Sequence, residues 1–476
     1  MADQDAQDAA AMSGGKARSP GITWIELMDA DSRPSPACLT GEHYRYLGSK
    51  SAPVERYTSE AFAQSEREKM WPYIWQFAAR EEDLPDPGDY VVYENAGRSY
   101  LISRQEDGSI RAFHNVCLHR GRKLRTADGH ADVFTCPFHG FSWQKDGDFD
   151  SMPCSWDFAH LAKGSIDLPQ AEVGRWAGYI FVREESGGPG LEEFLSPLPE
   201  HFKRWRHEEC TTVIWVAKEV SANWKVTAEA FMEAWHTITT HPQLLPFSGD
   251  CNSAYWNWGD NINVNLVPFG VMSPHVDPSG KTEQWIVDEF IKFNGRSGDN
   301  YDASADPYAI QVPEGQSARA ALGAAMRKAY AEQSGYDHEH ATDSELLDAL
   351  VYNVFPNFSA WGGFMPNIVY RWRPGKTADT CLMDVRILAR ARKGEPIPRG
   401  VPMHFLGPDE KWTAAPELGG LGDVFEQDMD NLPYVQQGLH CSKTGKIQLA
   451  DYQEIRIRQF HQTLGKYLNG ELGKPA

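Results

Sequence analysis

The chain has 476 residues, 41% of them hydrophobic and 24% charged, which is material for two or three cores with the composition of a globular protein. A formal net charge of -20 argues against a polyanion as partner, because nucleic-acid binders neutralise phosphates with clustered Lys and Arg. No apolar run approaches the ~18 residues that suggest a membrane span.

In chain order, residues 1–20 are polar and start acidic, lack the basic and apolar regions of a secretory signal, and read as a disordered tail on a cytoplasmic protein. Residues 59–75 carry helix formers and suggest a short helix. From Asp89 short strand-like runs alternate with Asn95-Ala96-Gly97, Asp107-Gly108 and Asp146-Gly147, which are hairpin turn residues. They predict a small antiparallel domain from about Trp71 to Val182. Eight cysteines are too scattered for a disulfide framework, and only Cys117 and Cys136 keep company with histidines.

Beyond this domain, Ile262, Val264 and Leu266 alternate with Asn261, Asn263 and Asn265, the period of a half-buried strand. IVYRWR and TCLMDVRILAR flank PGKTAD and predict a long antiparallel hairpin with Met383, Val385, Ile387 and Ala389 on one face. Helices are expected over 222–240, 317–333, 343–352 and 451–468. The economical fold class is α+β, with helices against an antiparallel sheet. Tyr255, Trp256, Trp258, Phe269 and Met272 can line an apolar cavity or simply fill the core. The stretch 299–350 can cap that pocket, contact a partner, or only pack.

Two clusters carry chemistry. In the first, Cys117 and His119 are followed by Cys136 and His139. Two pairs of one thiolate and one imidazole, each on a loop, can hold a two-iron cluster with sulfur on one iron and nitrogen on the other. The alternative is structural zinc, although zinc sites generally open with Cys-x2-4-Cys. In the second cluster, NWKVTAEAFMEAWHTITTHP places Glu229, Glu233 and His236 on one helix face. His241 can join His236 on one metal only if the helix ends or bulges between them, and Pro242 favours an ending. Two imidazoles and one carboxylate leave room on an iron for dioxygen and substrate. Two ordinary helix histidines are the competing reading.

CLHRG and CPFHGFSW resemble the two cluster loops of Rieske domains, and the run from Asn223 to His241 resembles the catalytic helix of Rieske non-heme iron ring-hydroxylating oxygenases, large subunit. The run departs from that family's pattern at Ala230 and Trp235, neither of which is a metal ligand. The likeness extends from about Val54 to Leu439, including FPNFS at 355–359.

It implies an all-β Rieske [2Fe-2S] domain over 71–182 and a helix-grip catalytic domain over 183–476, with residues 21–70 packing on the latter. Cys117, His119, Cys136 and His139 would hold the cluster, and His236, His241 and a late acidic residue a mononuclear Fe(II). The match to FEQDMDNLPYVQQGL points to Asp428 as that third ligand, with Asp430 as its rival, explicable also as a helix N-cap.

By the same resemblance Glu233 would bridge the cluster of one subunit to the iron of the next in a homotrimer, with a small beta subunit as a further option. Electrons would come from a ferredoxin or flavin reductase, and oxygen from O2 would enter an aromatic or other apolar substrate by dihydroxylation, monohydroxylation or oxidative demethylation. A zinc scaffold and a Rieske electron carrier are the other classes.

Overall fold

The computed structural model describes residues 21–161, 164–296, 310–364 and 367–473. The tail expected over 1–20 and the first part of the 299–350 stretch fall outside them. An antiparallel seven-stranded sheet runs in the order Gln76–Arg80, Tyr179–Arg183, Gln170–Trp176, Ile110–His114, Arg98–Arg104, Asp89–Asn95, Gly129–His130. Ala96 and Gly97, at φ 50° and 80°, form the left-handed turn whose twist matches its flanking strands. A three-stranded sheet, Val133–Thr135, Ser142–Gln144 and Phe149–Ser151, closes a separate apolar cluster around Phe134, Phe141 and Trp143.

The second large sheet has eight strands in the order Ala254–Trp258, Ile262–Val267, Ala349–Val354, Phe358–Gly362, Asn367–Pro374, Cys381–Arg390, Cys210–Val220, His404–Leu406, and only its last pairing is parallel. The expected hairpin is its centre, with Asn367 opposite Leu388 and Pro374 opposite Cys381. Met383 and Val385 are buried, whereas Ile387 and Ala389 are half-buried. The other face of that strand is buried too, because it meets the seven-stranded sheet. Arg371 pairs with Asp384 at 2.9 Å and donates to the Ala78 carbonyl, and Arg386 pairs with Asp83 at 2.8 Å. The Arg371 bond to Ala78, the Arg386–Asp83 pair and the Phe77 N–H to Asn357 bond join the sheets.

Three expectations change. The strand at 262–267 is buried on both faces: Asn263 accepts from Arg456 at 2.6 Å and donates to Gln459 at 2.9 Å, both on the helix Ile455–Leu468. The helix expected over 343–352 stops at Leu347, and Ala349–Val354 pairs with strands on both sides. Its aromatic and β-branched residues suit a doubly paired strand better than a helix end, and tertiary pairing overrides the local pattern. The helix expected over 59–75 is shorter, Glu60–Lys69, capped by Ser59.

A fourth change matters most for function. The helix expected over 222–240 is broken. Helix α1, Trp224–Glu229, is capped by Asn223, and a one-turn α2, Thr237–Thr240, follows only after the chain has left the helical path. Outside partners satisfy the backbone of the break: Arg456 donates to the Met232 carbonyl at 3.1 Å, and the Ala234 N–H donates to the Tyr255 hydroxyl at 3.3 Å. Glu229 and Glu233 therefore do not share a helix face. Glu229 instead accepts from the Tyr57 hydroxyl at 3.1 Å and lies 2.8 Å from His461 Nε2. At the start of α1, the buried Lys225 ammonium meets Glu66 at 2.7 Å, which fastens the helix to the N-terminal segment.

Candidate metal centres

The two cysteine loops are built alike. The Cys117 N–H bonds the Arg122 carbonyl at 2.7 Å and the Gly121 N–H returns to Cys117 at 2.9 Å; Cys136, Phe141 and Gly140 repeat the pattern at 2.7 and 3.0 Å. Gly121 and Gly140 both sit at positive φ, 76° and 79°, where a side chain is strained, so each loop can turn within five residues. Cys117 and Cys136 are buried, His119 is half-buried against Phe141, and His139 is exposed at the tip.

A single tetrahedral zinc would gather four donors round one point. Among the described residues, no three of these four have donor atoms mutually within 4.8 Å. They pair instead: Cys136 is close enough to Cys117 to raise its thiol, and the two imidazole centroids lie 4.7 Å apart. Sulfurs at one end and imidazoles at the other fit a two-iron cluster. His119 Nδ1 is buried without a hydrogen-bond partner, an atom a metal would satisfy. Burial and the neighbouring Cys136 hold the Cys117 thiol above its ordinary range against backbone N–H groups of His119 and Arg120, so ligation would displace a proton.

The second centre joins distant segments. His236 begins α2, and His241 ends it outside helical geometry at φ -125°, ψ 54°. Asp428 comes from the last turn of α3, Gly420–Met429. Its Oδ1 is 3.1 Å from His241 Nε2 and 3.6 Å from His236 Nε2, and the three donors lie within 4.8 Å of one another. Asp430 is exposed and only follows α3; Asn431, not Asp430, occupies the N-cap position of α4, Leu432–His440.

Both imidazoles are held through their other nitrogen. Glu233 Oε1 is 2.7 Å from His236 Nδ1, and its Oε2 accepts from the N–H groups of Trp235 and His236. Gln427 Oε1 is 2.8 Å from His241 Nδ1 and is itself held by Gln243 at 2.7 Å. Nδ1–H donation to these acceptors turns both Nε2 atoms toward Asp428, where a bound metal would take the place of a proton. Burial opposes a charged His236, but the Glu233 hydrogen bond and the charges of Glu233 and Asp428 outweigh it and raise the imidazole to about 9. Two imidazoles and a carboxylate on one side of a point form the donor set of non-heme iron.

An apolar cavity of about 180 Å³ reaches these three residues, walled by Phe231, Val267, Phe269, Trp361, Tyr370 and Phe425. Among the described residues its lining contains neither Lys nor Arg. Of the five residues considered for the cavity, Phe269 lines it, while Tyr255, Trp256, Trp258 and Met272 pack elsewhere. Phe231, Trp361, Tyr370 and Phe425 gave no sequence signal, since each comes from a different element. Gln427 could have been found from its place beside Asp428. A second cavity of about 300 Å³ is also lined by Glu233, His236 and Asp428.

The description "Ring hydroxylating alpha subunit (catalytic domain)" matches residues 200–470, and "Rieske [2Fe-2S] domain" matches residues 74–162. The large oxygenase component of the naphthalene 1,2-dioxygenase system of Pseudomonas fluorescens is 32% identical over 247 residues, covering 50% of this chain and 53% of that protein. The carnitine monooxygenase oxygenase subunit of Acinetobacter pittii (strain PHEA-2) is 29% identical over 200 residues, covering 40% and 52%. The chain thus spans about half the length of these curated relatives. In fold it is similar to naphthalene 1,2-dioxygenase with indole bound in the active site, at TM-score 0.61 and 19% identity over 92% of this chain and 100% of that one. It is likewise similar to the quaternary ammonium Rieske monooxygenase CntA in complex with L-carnitine, at TM-score 0.60 and 18% identity over 88% and 95%.

Proposed function

The chain belongs to the family of ring hydroxylating alpha subunits that carry a Rieske [2Fe-2S] domain, and from that premise we propose that it is the terminal component of an oxygenase acting on a small, neutral, largely apolar molecule. The observation that carries this reading is the meeting of His236, His241 and Asp428 at the wall of an apolar cavity. Bound there, a mononuclear iron supplies dioxygen activation, and a cluster held by Cys117, His119, Cys136 and His139 supplies electrons one at a time.

The chain's own residues prepare that chemistry. Glu233 and Gln427 fix the tautomer and direction of the two imidazoles, and the aromatic walls exclude water and hold a planar or apolar substrate face against the site. A cavity of about 180 Å³ favours a small substrate. An anionic group would find no Lys or Arg among the described lining residues.

Electrons would come from a ferredoxin or a flavin reductase, with Glu233 linking the two centres across neighbouring copies in a homotrimer. Exposed apolar residues support such packing: Leu118 and Phe138 in the cluster loops, and Trp235, Tyr434 and Val435 in the segments that carry Glu233 and α4.

A quaternary ammonium substrate is the second reading, favoured by the aromatic walls, since cations bind ring faces. Product analysis under isotopically labelled O2 with a surrogate donor decides between them. Label incorporated into neutral aromatic compounds and not into quaternary amines supports the first reading. Turnover confined to the amines transfers the assignment to the second, and no label in any product removes the oxygenase reading.

A further inference from the structure

We propose that Asp250, Cys251 and His275 form a second metal site, distinct from the iron triad, that takes a borderline divalent cation of the zinc class. Two segments meet there. Asp250–Asn252 is a single 3-10 turn, and His275 ends a short stretch that returns beside it. The approach is fixed by backbone bonds: the Gly249 N–H to Pro268 at 2.9 Å, Gly270 to Phe247 at 2.8 Å, and Ser273 to Leu245 at 2.9 Å. The His275 N–H adds a bond to the Ser273 hydroxyl at 3.2 Å.

The donors already converge. Cys251 Sγ lies 3.1 Å from His275 Nε2 and 3.6 Å from Asp250 Oδ2, and all three donor atoms are mutually within 4.8 Å. Ordinary zinc bond lengths, about 2.3 Å to sulfur and about 2.0 Å to nitrogen, put two tetrahedral donors roughly 3.5 Å apart, so small adjustments suffice.

The independent observation is Asp250 itself. Its side chain belongs to a residue with 0% exposure, and its Oδ1 is buried with no hydrogen-bond partner. Among the described residues, no ion pair offsets the carboxylate. A buried carboxylate with no cation beside it is costly, and a cation held by this side chain offsets the charge that its two oxygens share. The half-buried Cys251 and exposed His275 leave the remaining coordination position open to solvent, so the ion can exchange.

The chemistry separates this site from the iron centre. A thiolate ligand selects a softer ion than the imidazole and carboxylate set of His236, His241 and Asp428, and no residue is shared. Burial and Asp250 push the free Cys251 thiol up to about 12, so uptake of the cation exchanges with the thiol proton. Ser248, two residues before Asp250, lines the substrate cavity, and an occupied site would pin the loop that carries it.

The test is a titration of the holoprotein, cluster and iron loaded, with cobalt(II) chloride alone, followed by difference absorption. One ion per chain should produce a near-ultraviolet sulfur-to-cobalt charge-transfer band, a signal the sulfur-free iron triad cannot give. Zinc should erase it. Cys251→Ser should abolish the band, and His275→Ala, at an exposed position, should weaken cobalt binding by about tenfold or more. Absence of the band in the wild type, its survival in Cys251→Ser, or unchanged affinity in His275→Ala would each overturn the assignment.

Discussion

The two candidate centres are built in opposite ways. The cluster loops lie within residues 117–141, and each closes on itself with the same pair of backbone bonds. The iron triad joins residues 187 positions apart, and its imidazoles point correctly only because α1 stops, the chain breaks, and α3 delivers Asp428 and Gln427. A local site depends on turn geometry, whereas a non-local one depends on everything that packs α3 against the break. The two should therefore be separable by mutation.

The largest effect expected is at the cluster. Cys117→Ser or His139→Ala should abolish its visible absorption and all donor-driven turnover while the triad still binds iron, because no ligand of a four-ligand site is spare. A native spectrum in either variant would break the comparison on the cluster side. Asp428→Ala should do the reverse, losing mononuclear iron and keeping the cluster, while Asp430→Ala keeps both. Metal analysis showing the opposite pattern would give the ligand role to Asp430.

Glu233→Gln sharpens the comparison, since its proposed role spans both centres. It should keep the cluster and the iron, yet slow cluster reoxidation in the presence of substrate and oxygen by about a hundredfold. Wild-type reoxidation in rapid mixing would reduce Glu233 to a local brace for His236. The smallest effect is at Gln427→Ala, which removes the acceptor holding His241 Nδ1 and should cost about tenfold in iron affinity without touching the cluster spectrum. Unchanged iron affinity would mean that packing alone orients His241.

The same contrast explains what could be read in the sequence. Cys117, His119, Cys136 and His139 announce themselves by spacing, because their geometry is made by neighbours in the chain. The hairpin at 367–390 was legible for the same reason, turn residues between two alternating runs. The break after Glu229 was not, because it is held by Arg456 and Tyr255, whose approach no local pattern encodes. Pro242 did signal that His241 leaves the helix, which is what lets it face Asp428 beside His236. Ala349–Val354 looked helical because the Asp343–Leu347 turn precedes it, and only its partner strands decide otherwise. Of the cavity walls only Phe269 was marked in advance, whereas Phe231, Trp361, Tyr370 and Phe425 come from four separate segments that no local pattern links.

The most direct test of the account is an inventory of iron and acid-labile sulfide in the wild type and in two variants. The wild type should hold about three irons and two sulfides per chain. Asp428→Ala should lose about one iron and no sulfide, and Cys117→Ser about two irons and both sulfides. Zinc in place of iron at the cysteine loops, or loss of the sulfides together with the mononuclear iron in Asp428→Ala, would contradict two independently built centres.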